Sequence, residues 1–259
     1  MRAALVTGAG GRLGRAMAIT LAEKGLDVAV HYGHSEDGAE ETRTACEALG
    51  VRAVTLQADL LDPKAVDGLI AAATKALGKP LDLLVNNASI FEYDTLDTAT
   101  AESWDRHIGS NLRAPFFLTQ AFAAQAPDPA TDDRGEPIAQ ALVVNMIDQR
   151  VKKLTPHFMT YTIAKMGLWA FTQTAARALA PRVRVNAIAP GPTLQGAHQS
   201  DKDFAHQRQN TVLERGSDPD DITGALLYFI SAKAVSGQMI ATDGGQHLGW
   251  QTPEILDRD

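Results

Sequence analysis

Two side chains in the stretch YTIAKMG, Tyr161 and Lys165, have types and a spacing that suit acid–base chemistry. They lie four residues apart, and on a helix that separation brings two side chains onto one face. A tyrosine is a poor acid or base near neutral pH, because its free pKa is about 10. A neighbouring ammonium favours the phenolate and lowers that pKa, which suits reduction of a carbonyl or imine. The pair alone is common and usually structural, so its meaning depends on the elements around it.

A glycine-rich turn, TGAGGRLGR, lies between the first predicted strand and the first predicted helix. Gly8, Gly10, Gly11 and Gly14 would let the backbone approach a ligand closely, and the free N–H groups of a helix N-terminus favour an anion. The spacing departs from the dinucleotide fingerprint G-x-G-x-x-G. The position of the turn, after a strand and before an amphipathic helix, nevertheless predicts a phosphate site of the dinucleotide-binding kind.

The end of the second strand, VHYGHS, contains no acidic residue. An acid there accepts from the ribose hydroxyls of NAD and would repel the 2′-phosphate of NADP. Arg12, in the middle of the glycine turn, can offer a planar fork of donors to phosphate oxygens, and His34 and Ser35 add further donors. We therefore predict that Arg12 selects NADPH, against the alternative of a solvated residue at a helix start. His31 alone is better interpreted as packing in the strand, and Tyr32 suits packing and adenosine contact equally.

The composition and the charge argue against several classes of protein. The 259 residues are enough to bury a substantial core without disulfides or metals. No apolar run approaches the ~20 residues that a membrane-spanning helix needs, and the N-terminus lacks the layout of a signal peptide. The net charge of −7 disfavours a general nucleic-acid binder, which needs a basic face. The single cysteine, Cys46, cannot form an internal disulfide, and we expect a cytoplasmic protein.

Short β-rich runs alternate with amphipathic segments along the chain. Strands are predicted in AALVTG, DVAVHY, AVTLQAD, LDLLVNNAS, ALVVNMID, RVRVNAIAPG and QMIATDGG. Helices are predicted at 12–24, at 36–49, in KAVDGLIAAATKAL, at 101–124 with an interruption near Pro115, at 160–178 and at 222–231. This alternation predicts one α/β domain over 1–259, a doubly wound parallel sheet with helices on both faces. Two stretches break the alternation: 126–140, predicted as a surface excursion, and 191–216, predicted as a lid.

Several motifs follow one another in a specific order: TGAGGRLG, ADL at 58–60, NNAS at 86–89, Asn111 in SNLRAPF, YTIAK, NAIAPG and DGG. In this order they resemble the short-chain dehydrogenase/reductase family over nearly the whole chain. The resemblance implies a single Rossmann-like domain with a seven-stranded sheet, NAD(P) as the hydride carrier and commonly a tetramer. Tyr161 would be the proton donor, and Asn111 would help to fix a water in the proton relay. Lys165 would hold the nicotinamide ribose and lower the tyrosine pKa.

The resemblance also implies which residues line the cofactor. Asp59 and Leu60 would lie beside the adenine, the NNAS segment would lie along the cofactor, and the PGPT segment at 190–193 would close over it. The residues predicted to bind NADPH are Gly8, Arg12, Leu13, His31, Tyr32, His34, Ser35, Asp59, Leu60, Asn87, Ala88, Ser89, Lys165, Pro190, Gly191 and Thr193.

Two positions depart from most members of the family. A glycine usually stands at Arg12, and a serine that orients the substrate carbonyl usually stands at Asp148, in NMIDQR. By itself Asp148 could be a surface acid paired with Arg150. Together the two departures resemble the pteridine reductases, which carry an arginine in the turn and an aspartate in place of the serine. Phe91, in NNASIF, would then stack on the pterin and Ser89 would help to position it, unless Phe91 is an ordinary core or lid residue.

We therefore predict NADPH-dependent reduction of a dihydropterin, such as dihydrobiopterin, dihydromonapterin or dihydrofolate. Tyr161 and Asp148 would share delivery of the proton, because a carboxyl kept protonated by burial can act as an acid. The alternatives are a reductase of small ketones or 3-oxoacyl thioesters and a non-catalytic NADPH sensor. The sensor is disfavoured because Tyr161, Lys165 and Asn111 are all present. The predicted partners are the pterin and further copies of the chain in a homotetramer, with no nucleic acid and no membrane.

Four histidines and the C-terminal segment carry weaker signals. His157, His198, His206 and His247 lack the spacing of metal ligands, so we predict no metal site. Trp250 lies in the tail QHLGWQTPEI, which we expect to be buried against a neighbouring subunit and not to take part in catalysis.

Overall fold

Seven parallel strands form the central sheet of the protein. The structure, a computed structural model, describes residues 1–196 and 199–250. The strands are β1 (Ala3–Val6), β2 (Asp27–Tyr32), β3 (Ala53–Gln57), β4 (Leu83–Asn86), β5 (Ala141–Met146), β6 (Val183–Pro190) and β7 (Met239–Thr242). Their order is β3-β2-β1-β4-β5-β6-β7, and every neighbouring pair is parallel. The predicted Rossmann-like, doubly wound α/β fold with about seven strands is confirmed.

Helices cover both faces of this sheet. They are α1 (Arg12–Glu23), α2 (Glu36–Glu47), α3 (Pro63–Leu77), α4 (Ala101–Ile108), α5 (Ala114–Gln125), α6 (Met159–Leu179), α7 (Asp201–Gln209) and α8 (Pro219–Ser231). Successive residues of β1 enter different cores: Ala4 and Val6 pack with α1, α2 and α8, whereas Ala3 and Leu5 pack with α3, α5 and α6. The strands are apolar on both sides for this reason. Within the described part of the chain, no helix is both long enough and apolar enough to cross a membrane.

The direction of the strand order reverses between β1 and β4. β2 and β3 extend the sheet on one side of β1, and β4 to β7 extend it on the other, so a crevice opens beyond the carboxyl ends of β1 and β4. Thr7 joins the two sides of this crevice. Its N–H donates to the Val85 carbonyl at 3.0 Å, and its hydroxyl accepts from the N–H groups of Asn87 at 2.9 Å and Ala88 at 3.0 Å. The segments after β1 and β4 therefore border one site.

The structure differs from the predicted elements in three stretches. The helix predicted at 101–124 is interrupted by a π-helical turn, Gly109–Arg113, and Pro115 lies in the first turn of α5, where a missing N–H is tolerated. Stretch 126–140 contains an antiparallel pair, Ala130–Thr131 with Pro137–Ile138. Stretch 191–216 contains α7, which was not predicted because DKDFAHQRQ has no apolar face and buries no residue. The roles of these last two stretches as excursion and lid stay predictions.

Candidate active site

Asp148, Tyr161 and Lys165 meet beyond the carboxyl end of β5. Tyr161 and Lys165 are buried in the first two turns of α6, and Asp148 is half-buried two residues after β5. The Tyr161 hydroxyl donates to Asp148 Oδ2 at 2.9 Å. The Lys165 ammonium donates to the Met146 carbonyl at 2.8 Å, and Nζ lies 5.6 Å from the centre of the Tyr161 ring. The fold thus brings the tyrosine–lysine pair and the aspartate into one group.

The pKa values of this group correct one expectation. Burial raises the pKa of Tyr161 well above 10, and the adjacent Asp148 raises it further. Burial also raises the pKa of Asp148 and lowers that of Lys165 to about 8. The predicted lowering of the tyrosine pKa by Lys165 is not seen: burial and Asp148 raise that pKa, and the side chains that act to lower it are Arg150 and Ser89. Burial thus favours the protonated forms of Tyr161 and Asp148, and a protonated pair can act as a general acid.

Phe91 lies beside Tyr161, where the resemblance implied a stacking ring. Its ring is stacked on that of Phe158, with 4.3 Å between centroids and 6° between planes. It also meets the Tyr161 ring edge-on at 4.7 Å between centroids. Phe91 is 53% exposed, so it is not an ordinary core residue. An open aromatic surface next to a proton donor suits a flat heterocyclic ligand.

Phe158 and Arg150 lie beside Phe91 but were not predicted as site residues. The three side chains are called the aromatic wall below. The Arg150 guanidinium lies 4.7 Å from the centre of the Phe158 ring and 5.9 Å from that of Phe91. Asp148 Oδ1 accepts the amide N–H of Arg150 at 2.8 Å, so the contact between these two residues uses the main chain of Arg150. No sequence spacing marks Phe158, because its ring meets Phe91 only through the tertiary fold.

Asn111 holds the segment that carries Ser89 and Phe91. Its side-chain amide donates to the Ile90 carbonyl at 2.8 Å and accepts from the Ile90 N–H at 2.9 Å. Asn111 is buried in the π-helical turn, an irregularity often found at functional sites. The Ser89 hydroxyl acts on Tyr161 by lowering its pKa, against the larger effect of burial. The water relay through Asn111 stays a prediction.

The turn after β1 leaves room for a phosphate group. Gly8 has φ 64°, and a Cβ there would lie 2.9 Å from the Ala88 Cα, while a Cβ at Gly14 would lie 2.2 Å from the Gly8 carbonyl oxygen. At Gly11 a Cβ would meet nothing within 4 Å, so the turn is open at that position. Among the described residues, no side chain caps α1, and its first turn holds no acid. Its N-terminal N–H groups are therefore available to an anion, which fits the pyrophosphate of a dinucleotide.

His31 supports this turn from the core. It is buried, its Nδ1 accepts from the Gly8 N–H at 3.1 Å, and its Nε2 donates to the Ala58 carbonyl at 3.0 Å. Burial lowers the pKa of His31 to about 4, so the ring is neutral. Both ring nitrogens already have partners within the protein, so His31 is not a cofactor contact. It packs within the strand, as the sequence favoured.

The predicted adenosine end of the site lies beyond β2 and β3. Tyr32 is half-buried and packs against the core, which is one of the two roles predicted for it. His34 and Ser35 are exposed in the turn that follows β2, where no acidic residue precedes Glu36 at the start of α2. Asp59 is exposed as well, whereas the side chain of Leu60 is buried, so Leu60 can offer a ligand only its main chain.

Arg12 begins α1 with a left-handed backbone, φ 51°. This conformation costs a residue with a Cβ about 1 kcal/mol relative to glycine. The guanidinium donates to the carbonyls of Gln195 at 3.0 Å and Leu194 at 3.2 Å, in the segment after β6. Arg12 is therefore engaged by the predicted lid in this structure, and its selection of the 2′-phosphate of NADPH stays a prediction. Leu13, the next residue, is half-buried against the core.

The segments after β4 and β6 border the crevice from two sides. Asn87 donates through Nδ2 to the carbonyls of Thr7 at 2.8 Å and Gly8 at 3.2 Å, which holds it beside the glycine turn. Ala88 follows it in the same segment. These residues lie where the resemblance implied cofactor contacts.

On the other side, Pro190 ends β6 and Gly191 packs against Asp243. A Cβ at Gly191 would lie 2.6 Å from the Cβ of Asp243, so glycine is required there. The Thr193 hydroxyl donates to the Gly191 carbonyl at 3.1 Å and lies 2.5 Å from the Ser217 hydroxyl. Thr193 thus stabilises the turn itself in this structure, and its contact with the cofactor stays a prediction.

The remaining predictions concern histidines and the C-terminal segment. His198 and the tail at 251–259 lie outside the described residues. Trp250 is 60% exposed, and its burial against a neighbouring subunit stays a prediction. The described histidines of this group contact polar side chains: His157 contacts Tyr93, His206 contacts Asn210, and His247 contacts Asp243.

A family model described as Enoyl-(Acyl carrier protein) reductase matches residues 8–247. That span contains the glycine turn, the tyrosine–lysine pair and Asp148. The chain belongs to the short-chain dehydrogenase/reductase family. The family resemblance of the motifs is thereby confirmed.

Relatives of this short-chain dehydrogenase/reductase match over nearly their full length. L-rhamnose 1-dehydrogenase (NAD(P)(+)) of Sphingomonas sp. (strain SKA58) is 30% identical over 255 residues, which cover 95% of this chain and 96% of the relative. The 3-oxoacyl-acyl-carrier-protein reductase FabG of Staphylococcus aureus (strain Mu50) is 32% identical over 252 residues, 95% and 98% of the two chains.

Solved structures of NADP complexes are also similar. FolM alternative dihydrofolate reductase 1 from Brucella canis, complexed with NADP, is 41% identical, with a TM-score of 0.90 and coverage of 98% of this chain and 97% of that one. The crevice above the glycine turn fits the same cofactor. This short-chain dehydrogenase/reductase is therefore an NADP-dependent oxidoreductase, and the predicted cofactor is confirmed.

Proposed function

We propose that the protein reduces a dihydropterin to its tetrahydro form with NADPH. The observation that carries the proposal is the 2.9 Å hydrogen bond from the Tyr161 hydroxyl to the Asp148 carboxyl, beside the open ring of Phe91. A flat ring stacked on Phe91 would meet an acid at the atom that receives a proton. The Brucella canis relative is named as an alternative dihydrofolate reductase, and its 41% identity supports a dihydropterin as the substrate here.

Reduction of a C=N bond adds a hydride to carbon and a proton to nitrogen. NADPH supplies the hydride when it is bound above the glycine turn. The proton comes from Tyr161 and Asp148, whose pKa values are both raised by burial. With substrate bound, the phenol would turn its hydrogen to the ring nitrogen and accept from the carboxyl, the reverse of the hydrogen bond seen here. As the phenol gives its proton to the ring nitrogen, the carboxyl can then restore it. Asp148 is half-buried, so solvent can then return a proton to it.

Other side chains orient the reactants in this proposal. Lys165, held by the Met146 carbonyl, would bind the nicotinamide ribose through its remaining N–H groups. Asn111 fixes the peptide of Ile90, and with it the neighbouring Ser89 and Phe91 that position the pterin.

A reductase of small ketones or 3-oxoacyl thioesters is the second candidate, and the 32% identity to FabG favours it. Negative charge develops on the carbonyl oxygen during reduction of a ketone, and Asp148 would repel that charge once it has given up its proton. A ring nitrogen that takes up a proton is a better match for this carboxyl. A protein that senses NADPH without turnover would have no use for the hydrogen-bonded pair of Tyr161 and Asp148.

NADPH oxidation, followed by absorbance, tests the proposal. The panel contains dihydrobiopterin, dihydromonapterin, dihydrofolate, a small ketone and a 3-oxoacyl thioester. We expect at least one dihydropterin to be reduced with a kcat/KM about 100-fold above that of the ketone. Turnover of the ketone or thioester with inert pterins would establish the second candidate. Tight NADPH binding without any turnover would establish a sensor.

We assign Arg12 to the pyrophosphate end of the cofactor. It begins the helix whose N-terminus favours an anion, and its guanidinium contacts the Leu194 and Gln195 carbonyls across the crevice. Arg12→Gly should therefore raise the dissociation constants of NADPH and NADH by similar factors, about tenfold, since both cofactors contain the pyrophosphate. The same change relieves the left-handed backbone but loses the hydrogen bonds to the Leu194 and Gln195 carbonyls, so the melting temperature of the ligand-free protein should change by less than about 2 °C.

Fluorescence titration with both cofactors and a thermal melt measure these effects. Arg15→Ala is the matched control, because Arg15 lies one turn further along α1 and pairs with Glu41 at 2.6 Å. It should leave both dissociation constants within about twofold of wild type. If Arg12→Gly raised the dissociation constant of NADPH alone, Arg12 would instead bind the 2′-phosphate, the role first predicted for it.

We also propose a cytoplasmic homotetramer. Cys46 is a buried free thiol, which suits a reducing compartment. Large apolar side chains on α4, α5 and α6 are at least 39% exposed, and their burial against further copies of the chain would be favourable. These side chains are Trp104, Phe116, Phe117, Ile163 and Met166.

A further inference from the structure

Helix α6, which carries Tyr161, begins without a capping side chain of its own. The preceding residue, Phe158, has a left-handed backbone with φ 56° and a side chain that cannot accept a hydrogen bond. Asp94 supplies the cap instead. Its carbonyl accepts from the N–H groups of Phe158 at 2.8 Å and Met159 at 3.4 Å, and its Oδ1 accepts from the Thr160 N–H at 3.2 Å. The first turn of α6 is therefore fixed by the segment that follows β4.

The hydroxyl of Thr160 links Asp94 to His107. It donates to Asp94 Oδ2 at 2.5 Å, and His107 Nδ1 lies 2.7 Å from the same hydroxyl oxygen. Because the only hydrogen of the hydroxyl goes to the carboxylate, Nδ1 must carry a hydrogen and donate it. Nε2 is then free to accept from the Glu92 N–H at 3.2 Å. Each hydrogen bond in the chain from the Glu92 N–H through His107 and Thr160 to Asp94 therefore has one donor and one acceptor. The imidazole of His107 is neutral, and the carboxylate of Asp94 is ionised.

Burial and electrostatics agree with this assignment. Burial lowers the pKa of His107, which keeps the imidazole neutral. Burial acts to raise the pKa of Asp94, but hydrogen bonds from Thr160 and Ser103 outweigh it and leave that pKa lowered. The three linked side chains, called the α6 clamp below, are each 3% exposed or less: Asp94, His107 and Thr160.

The α6 clamp joins the two segments that border the candidate substrate site. Asp94 lies three residues after Phe91, and Thr160 immediately precedes Tyr161. The ring of His107 meets the Tyr161 ring edge-on, with 6.0 Å between centroids. We propose that the α6 clamp holds the Tyr161 hydroxyl and the Phe91 ring at a fixed separation, so that its three members are positioning residues for the reduction. This inference rests on the proposed reductase function.

Thr160→Val and Thr160→Ser separate the hydroxyl from the shape of the side chain. Valine keeps the branched shape and removes both hydrogen bonds, whereas serine keeps the hydroxyl and loses a methyl group. We expect T160V to lower kcat about 30-fold, because a small displacement of a general acid is costly. T160S should keep kcat within about threefold, and both variants should bind NADPH as wild type does, since the glycine turn and Lys165 are unchanged. Equal losses in the two variants, or a T160V enzyme with wild-type kcat, would overturn the proposal.

A second pair of variants guards against simple unfolding of T160V. The amide of His107→Asn can donate to the Thr160 hydroxyl from about the position of Nδ1, and His107→Leu cannot. We expect H107N to retain about tenfold more kcat than H107L, with KM for the substrate changed by less than about threefold in each. An H107L enzyme as active as H107N would contradict the α6 clamp.

Hydrogen exchange of the NADPH-bound protein gives a readout that needs no substrate. Peptides covering 88–96 and 156–164 report on the two joined segments. We expect both to exchange about tenfold faster in T160V and at the wild-type rate in T160S. Faster exchange in T160V from a wild-type protein that reduces no pterin would support the α6 clamp while the proposed function fails. Unchanged exchange in T160V would overturn the α6 clamp even if dihydropterins are reduced.

Discussion

Replacing Tyr161 with phenylalanine is expected to lower kcat for the proposed dihydropterin reduction about 10³-fold, because the change removes the proposed proton donor and little else. The ring remains and keeps its edge-on contact with Phe91, at 4.7 Å between centroids. The hydroxyl donates to Asp148 and not to the glycine turn, so the dissociation constant of NADPH should change by less than about threefold. Stopped-flow measurement of NADPH oxidation in a single turnover, with a separate NADPH titration, checks both statements.

Tyr93→Phe is the matched control for this experiment. Tyr93 is 62% exposed, and its hydroxyl lies 2.9 Å from His157 Nδ1 at the edge of the aromatic wall. Its loss should change kcat by less than about twofold. A Tyr161→Phe enzyme within about tenfold of wild type would contradict the assignment of Tyr161 and would make Asp148 the direct donor.

Asp148→Ser is expected to exchange the substrate preference of the enzyme. The kcat/KM for the dihydropterin should fall about 10²-fold, because serine has no acidic proton to restore the phenol of Tyr161. Reduction of a small ketone should rise about tenfold, since a neutral hydroxyl donates to a carbonyl oxygen without repelling its developing charge. The panel of pterins, ketone and thioester measures both changes. Equal losses for the two substrate classes would remove Asp148 from substrate selection.

The pH dependence of kcat/KM distinguishes the role of the Asp148 proton from the role of the shape of its side chain. Burial raises the pKa of Asp148, so the carboxyl stays protonated to a higher pH than a free carboxyl does. Wild-type kcat/KM should be constant below that pKa and should fall as pH rises through it. Asp148→Asn keeps the shape without a titratable proton and should abolish this decrease. A decrease that persists in the variant would belong to another group, such as Lys165 with its pKa of about 8.

Local sequence signals were sufficient for most of the fold. β2 ends at Tyr32, as its apolar run predicted, and α3 is closed by Gly78 with φ 71°. Such boundaries depend on residues within a few positions of one another. α7 was missed because its sequence carries no apolar stripe, although Ser200 caps it and acidic and basic residues lie in its first and last turns.

The candidate site also has features that the sequence predicted and features that it did not. Motif spacing paired Tyr161 with Lys165, and the family resemblance placed Asp148 and Phe91 beside them; the fold brings all four together. Motif spacing could not reveal that His31 is sealed into the core by Gly8 and Ala58. These partners are contributed by packing, which no local pattern encodes.

By itself, the sequence determined the α/β fold, the family, the NADP-type cofactor and the group of side chains that can move a proton. Only the tertiary structure decided the partners and the charge states of those side chains. Arg12 meets Leu194 across 182 residues, and Asp94 caps Thr160 across 66. The rise in the pKa of Tyr161 likewise comes from burial and from Asp148, on a different element. The protonation and the orientation of these side chains depend on which distant segments exclude water from them. Those segments come together only when the chain folds.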